Sequence, residues 1–411
     1  MASECIGNMS EKEVCLLDLC TGCGACKNIC PQNCIEFREN EIGVEYAVIN
    51  TEICIHCHLC EKVCPNINTP PFSVVDKCYV GWRRDQSKRG DSSSGGIAAV
   101  ISEKFVQHGN VVVGVKFEEK KGAFYVCGKA LDDIEQFKGS KYVQAEMGNV
   151  FAEIEKELLS GKKVVFIGLP CQVAAVSLFF NINKQKRELS KKLYTIDFLC
   201  HGSMPNKYLL EELYYLRTKK NIKYDDISFR GNNPKKNYHF CLYNNKKVVY
   251  SKKAENQYYF YSFLNSIATK ESCLHCPYKH EKRVGDITLG DFIGLGKKID
   301  FKASLKEKGN PSLLLVNTEK GKNLMELCGE EIKLWERPLE EAIEGGPSLR
   351  GGTEVDSELR KKFKKEYVKY GFHTASKKTF GLKMKIQYIK ICCDCFLRNI
   401  KCRIKTLMMK V

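Results

Sequence analysis

The sequence predicts an α/β (α+β) domain with a small cysteine-rich domain in front of it and a basic helical tail behind it. Three observations predict this: a cysteine pattern that occurs twice before residue 66, strand-like and helix-like segments that alternate from Lys77, and a lysine-rich end with apolar residues at helical spacing. The chain has 411 residues, 43% of them apolar and 28% charged, enough for one small and one or two larger domains. No apolar run reaches the roughly 18 residues of a membrane span, and the start "MASECIGNMSEKEVC" lacks the basic-then-apolar order of a leader. The expected location is the cytoplasm, where thiols stay reduced, so the 23 cysteines read as metal or cluster ligands before disulfides.

"CTGCGACKNICP" (Cys20 to Pro31) and "CIHCHLCEKVCP" (Cys54 to Pro65) share the pattern C-x2-C-x2-C-x3-C-P. This is the spacing of a bacterial two-cluster ferredoxin, in which three close thiolates hold one 4Fe-4S cluster and the fourth cysteine crosses to the other. The expected sets are Cys20, Cys23, Cys26 and Cys64 on one cluster, and Cys54, Cys57, Cys60 and Cys30 on the second. A zinc site is the competing reading, but zinc does not require two interleaved sets with a proline after each fourth cysteine. "NCIEFRENEIGVEYAVIN" between the motifs alternates as a short hairpin does. "NTPPF" (Asn68 to Phe72) then marks a linker, so this domain is assigned to residues 1–70.

The α/β domain is assigned to residues 76–335. "KCYVGWRR" reads as a strand, "DSSSGGIAAVISEKFVQHG" as a polar Gly-rich loop feeding an amphipathic helix, and "NVVVGVKF" as a strand. Hydroxyls and glycines at a helix N-terminus offer N–H groups to a phosphate, although such a start is more often an ordinary cap. The helix "NVFAEIEKELLSGK", strand "KVVFIG", turn "LPCQ", helix "VAAVSLFF" and strand "LYTIDFLC" then form a crossover unit with parallel strands. Cys171 follows the first of these strands and Cys200 ends the second, so both lie on one carboxyl edge, where α/β proteins place ligands. "ESCLHCPYK" (Glu271 to Lys279) supplies Cys273 and Cys276, which complete a four-thiolate site. Spacing does not separate a third 4Fe-4S cluster from a structural zinc, and the clusters already in the chain favour iron. A further alternative makes Cys171 a catalytic thiolate with His201 near it.

These motifs resemble the beta subunits of coenzyme F420-reducing hydrogenases and dehydrogenases, in the bacterial form with an N-terminal ferredoxin domain. The resemblance covers roughly Cys20 to Lys320 and rests on "SSSGGI", "GSKYVQ", "GLPCQVAAV", "DFLCHGSMP", "FRG" and "SCLHCPYKHEKRVGDITLGDFIG". It implies an α/β fold that binds FAD and a 4Fe-4S cluster, three clusters in all with the ferredoxin pair. Ser93, Ser94, Gly95 and Gly96 would line the flavin phosphates, with Gly139, Ser140, Lys141 and Tyr142 around the same cofactor. Cys171, Cys200, Cys273 and Cys276 would hold the third cluster. Asp286 and Asp291 are polar candidates, and Lys141, Arg230 and Arg283 are cations that would attract a polyanionic hydride carrier. Leu169 replaces the family's usual threonine and Ile293 its usual tryptophan, which leaves the cysteines intact and alters the substrate pocket. No catalytic residue is assigned.

The function this implies is an iron-sulfur flavoprotein oxidoreductase. It would pass electrons between a small-molecule hydride donor or acceptor, a coenzyme F420-like deazaflavin or another conjugated substrate, and a redox partner protein or ferredoxin. The alternative is an electron-carrier or adaptor protein with a structural four-cysteine metal site and no flavin, serving a surface-polysaccharide pathway.

Residues 336–375 read as a helical extension and 376–411 as a basic amphipathic tail. The tail has ten Lys/Arg against Asp394 alone, about half of the net +17. It lacks aromatic interleaving, so no nucleic-acid partner is expected. Leu382, Ile386, Ile389, Cys393, Phe396, Ile400, Ile404 and Leu407 fall at helical spacing. Such a helix either lies on an anionic membrane surface, placing the protein peripherally at the inner face, or packs on the body or a partner.

Overall fold

A computed structural model of the chain describes residues 11–90, 92–231, 238–301, 311–352 and 354–408, with side chains as far as 391 and at 393. In the first domain β1 (Glu11–Glu13), β2 (Ile35–Glu39) and β3 (Glu45–Asn50) form an antiparallel sheet in the order β1-β3-β2. The Asn40 side chain closes the β2–β3 turn by accepting from the amides of Ile42 and Val44 at 3.2 and 2.9 Å. Short helices Ala25–Ile29 and Leu59–Lys62 each hold the third cysteine of a motif, Cys26 and Cys60, and these pack with Ile35, Ala47 and Ile49 of this sheet.

The α/β domain is built on β4 (Lys77–Arg83), β5 (Val111–Glu118), β6 (Gly122–Gly128), β7 (Val164–Gly168) and β8 (Leu193–Phe198). A small antiparallel sheet follows, of β9 (Asp226–Ser228), β10 (His239–Asn244) and β11 (Lys247–Lys253). The chain then returns to the main sheet with β12 (Ile287–Asp291), β13 (Ser312–Val316) and β14 (Ile332–Glu336). Among the described residues the main sheet runs β14-β4-β13-β12-β8-β7-β5-β6. Its centre, β12, β8, β7 and β5, is parallel, as the crossover reading requires. Strands buried on both faces need continuous apolar runs, and Val111 to Val113 and Val164 to Phe166 have no exposed surface. Helix Ile97–Gln107 covers one face, and helices Val150–Leu159 and Pro170–Phe180 cover the other.

Parallel direction puts the carboxyl ends of β7, β8 and β12 on one edge. The segments after β7 and β8 begin with "LPC" and "LCHG", and β12 ends at Asp291, so the chemistry-bearing motifs meet there. Gly96, where the Ser/Gly loop enters its helix, has φ of 82°, a conformation that favours glycine.

The final helical segment spans Ser357–Met408, and its backbone departs from helical geometry at Gly371. Phe363, Phe372, Phe380 and Met384 bury against the body. Leu382, Ile386 and Ile389 turn the other way and are 73, 59 and 60% exposed. The body therefore takes a second apolar face, distinct from the one the spacing singles out. Side chains beyond Cys393 lie outside the described residues, as do those of Cys392 and Cys395. No helix among the described residues is long and apolar enough to cross a membrane.

Candidate functional site

The ferredoxin motifs place their thiols in two groups. Cys20, Cys23, Cys26 and Cys64 surround one small hollow, with the crossing Cys64 beside the first three. In the second group Cys34, the next cysteine after Cys30, lies beside Cys30 and Cys54, which puts the crossing Cys30 near the second triplet. All four cysteines of the first group are buried, whereas Cys57 of the second is exposed. Each group carries a fifth thiol outside the motif. Cys15 hydrogen-bonds Cys20 and Cys64, and this contact, ahead of any other cause, lowers those thiols to about 6 and about 7. Cys34 Sγ stands 3.3 Å from Cys30 Sγ, and burial pushes its thiol up to about 12.

Cys171, Cys200 and, from one later loop, Cys273 and Cys276 come together from three segments at the sheet edge. Burial, followed by the charges of its three partners, drives the Cys171 thiol well up, and burial followed by Cys273 and Cys276 pushes Cys200 up to about 12. The Ser203 amide donates to Cys273 Sγ at 3.3 Å. A reactive thiolate requires a lowered pKa and a cationic neighbour. Cys171 shows the reverse, and His201 pairs instead with Ser266 Oγ at 3.0 Å, its ring against Phe263.

Beside this thiol set opens a cavity of about 510 Å³. Its wall contains Ser93, Ser94, Gly96, Gly139, Ser140, Lys141 and Tyr142, and also Cys200. Of the eight residues expected around a flavin, Gly95 alone stands behind the wall. Its amide donates to Ser312 Oγ at 2.9 Å, and a Cβ there would come within 2.4 Å of the Gly81 carbonyl, so its role is close packing of loop on sheet. The two motif loops are joined by the Ser140 amide, which donates to Ser93 Oγ at 2.6 Å.

Arg230 forms the polar end of the cavity. It donates to Asp291 at 2.6 and 3.1 Å, to the Tyr142 hydroxyl at 2.6 and 2.8 Å, and to the Ser93 carbonyl at 2.5 Å. Tyr238, unforeseen in the sequence, donates to Asp291 at 2.9 Å. Half-buried Lys141 donates to the carbonyls of Phe137, Lys138 and Gly139, and burial lowers its pKa to about 8. Two of the other expected polar candidates are structural. Asp286 accepts from Thr195 and Thr318, and Arg283 is enclosed in an ion pair with Asp197, neither of them in the cavity wall. Leu169 and Ile293, the two departures from the family pattern, both line the cavity.

The ferredoxin domain docks with its buried thiol group toward the α/β thiols. Gln144 Nε2 donates to the Thr21 carbonyl at 2.8 Å, Asn28 to the Gly148 carbonyl at 3.0 Å, and Tyr278 Oη to the Pro65 carbonyl at 2.7 Å. Tyr278 lies within electrostatic reach of Cys171, Cys276, Cys23 and Cys64, and Cys171 within reach of Cys23, so the two thiol sets are neighbours. Lys270 lies outside every motif, and Gln144 and Tyr278 stand inside motifs, but the contact each makes across the two domains depends on its tertiary position.

Three buried polar atoms beside these sites lack a hydrogen-bond partner. Ser92 and Ser203 belong to the cavity wall, and their Oγ atoms are buried without a hydrogen-bond partner. Lys270 Nζ is likewise buried and unpartnered beside Cys20, where a cluster held by thiolates would bring negative charge.

Residues 161–342 match the family model for the C terminus of the coenzyme F420 hydrogenase/dehydrogenase beta subunit, and residues 19–67 match the 4Fe-4S dicluster domain. The chain carries both domains in that order. The F subunit of the F(420)H(2) dehydrogenase of Methanosarcina mazei is 22% identical over 224 residues, which are 51% of this chain and 61% of the relative. The chain thus spans about three-fifths of the length of that curated relative. A chain of the F420-reducing [NiFe] hydrogenase complex from Methanosarcina barkeri is 17% identical, with 75% of this chain and 94% of that one covered and a TM-score of 0.45. The residues matched by the beta-subunit model include Cys171, Cys200, Cys273 and Cys276, and those matched by the dicluster model include the eight motif cysteines.

Proposed function

We propose that this chain is an iron-sulfur flavoprotein oxidoreductase that exchanges electrons between a hydride carrier of the coenzyme F420 deazaflavin class and a ferredoxin-type one-electron partner. The observation that carries the reading is continuity: Cys200 of the four-thiol set stands in the cavity wall, and Cys171 of the same set neighbours Cys23 of the dicluster domain.

A flavin in the cavity supplies the exchange between a hydride and two single electrons. The chain's own residues bind and orient it. Hydroxyls of Ser92 and Ser93 and the amides that open helix Ile97–Gln107 take its phosphates. Arg230 holds the Ser93 carbonyl and Tyr142 in place, and Leu169, Phe263 and Leu289 keep water from the inner wall. Cys171, Cys200, Cys273 and Cys276 hold a third 4Fe-4S cluster, and the two motif sets hold the others. Around exposed Cys57, Ile53 and Ile55 are also exposed and form an apolar contact for a partner protein.

At the far end, Leu382, Ile386 and Ile389, flanked by exposed Lys383, Lys385 and Lys390, fit an anionic membrane surface, which would make the protein peripheral to it. Removing residues 376–411 should abolish sedimentation with anionic liposomes, and unchanged sedimentation would dismiss this contact.

The main test is composition after anaerobic reconstitution. The reading requires about twelve irons per chain, for three cubane clusters, and one flavin released by acid. About eight irons with one zinc and no flavin would instead establish the carrier or adaptor alternative.

A further inference from the structure

Lys270 enters the four-thiol site from the loop before Cys273 and has no part in the assignments above. Its main chain belongs to the frame of that site: its amide donates to the Ser203 carbonyl at 3.0 Å, and its carbonyl accepts from the Cys273 amide at 3.1 Å. Its side chain leaves the site and reaches the dicluster domain. Only 3% of the residue is exposed, and Nζ has no hydrogen-bond partner. A Cβ placed on Gly22 would lie 3.3 Å from Nζ, so the ammonium stands against the loop between Cys20 and Cys23.

A buried cation without an opposite charge is unfavourable, and sequences retain one where a counter-charge arrives. The groups facing Lys270 are Cys20 and Glu45. Its charge lowers the Cys20 thiol, after the larger effect of Cys15. Glu45 feels it too, yet burial still raises the Glu45 carboxyl, and the two side chains form no ion pair. The compensating charge is therefore the one that Cys20, Cys23, Cys26 and Cys64 bring as thiolates around iron.

We propose that Lys270 is the counter-charge of the first dicluster cluster and raises its reduction potential, which favours electron transfer into it from the cluster on Cys171, Cys200, Cys273 and Cys276. This rests on the electron route proposed above and adds its direction. In the step concerned, one electron leaves the α/β cluster, which is oxidised, and one enters the Cys20/Cys23/Cys26/Cys64 cluster, which is reduced. No bond forms or breaks. The incoming electron adds negative charge beside a fixed positive one, and net charge is one of the levers on cluster potential.

The test is an EPR-monitored redox titration of the full, anaerobically reconstituted chain. Lys270→Gln should lower the reduction equilibrium constant of the first cluster about tenfold, which is about 59 mV for a one-electron couple. Lys270→Arg should stay within about threefold of the parent, since it keeps the charge. The cluster on Cys30, Cys54, Cys57 and Cys60 should move less than the first. An unchanged first-cluster potential in Lys270→Gln overturns the proposal, as does an equal fall in all clusters. Should the Gln variant not retain iron, Lys270→Arg decides: a first-cluster potential about tenfold below the parent's would show that the charge is not the cause. If iron analysis finds eight irons, the electron route fails, while the effect of Lys270 on the first cluster is still read by the same titration.

Discussion

Replacing Arg283 by methionine tests how the four-thiol site is positioned. The Arg283–Asp197 pair is enclosed, with side chains 1% and 0% exposed and 3.1 Å between Nη2 and Oδ1. The guanidinium also donates to Thr288 Oγ1 at 3.1 Å and to the carbonyls of Tyr278, His280 and Phe198 at 3.1, 3.0 and 3.3 Å. It thereby fastens the loop after Cys276 to the end of β8, two residues before Cys200. Arg283→Met leaves the Asp197 carboxylate with the Gly285 amide as its remaining donor, at 3.1 Å. Breaking one side of a buried pair costs about 3–5 kcal/mol. At about 2 °C per kcal/mol, suited to a chain of this size, the melting temperature should fall by about 6–10 °C. Because the same side chain sets the distance between Cys200 and Cys276, iron should drop from about twelve toward about eight per chain. Circular-dichroism melting and iron analysis of anaerobic protein read both. Adding Asp197→Asn should recover part of the stability, because the stranded charge is gone, and none of the iron. Parent-like melting with full iron in Arg283→Met would refute the reasoning.

Three further outcomes are expected. Arg230→Met leaves Asp291 with the Tyr238 hydroxyl in place of a pair whose side chains are 12% and 18% exposed, and it frees the Ser93 loop, so flavin affinity should fall at least about tenfold, or about 1.4 kcal/mol, by fluorescence titration. Burial lowers Lys141 to about 8, so the free protein loses this charge as pH rises through 8, whereas a nearby phosphate favours the charged form; flavin binding should take up a proton and weaken between pH 8 and 9.5. Lys141→Met should flatten that pH dependence. Cys34→Ser should leave the iron count unchanged, because Cys34 stands outside the spaced set, while Cys30→Ser should lower it.

Much of the site is legible before folding because its residues announce themselves by spacing. The two C-x2-C-x2-C-x3-C-P runs assign eight thiols, and strand direction alone brings Cys171 and Cys200 to one edge. What stays hidden is whatever depends on which side of a loop a side chain takes. Arg283 and Arg230 look alike in sequence as cations near a motif, yet one is sealed under the thiol loop and the other borders the cavity. Gly95 sits among cavity-lining neighbours but packs on Gly81. The tail offers two apolar faces, and periodicity picks out the exposed one, since Phe380 and Met384 are too few to register as a stripe. Lys270 and Tyr278 become meaningful only once the dicluster domain is seated on the α/β domain.

The most direct measurement of the electron route is anaerobic mixing with reduced deazaflavin, followed by optical and EPR detection, for the parent and for Cys171→Ser. The parent should show flavin reduction followed by reduction of the dicluster domain. In Cys171→Ser the flavin should still be reduced at the parent rate, while the dicluster signal is lost or slowed by orders of magnitude. A dicluster domain that is reduced as fast in Cys171→Ser as in the parent would contradict the account.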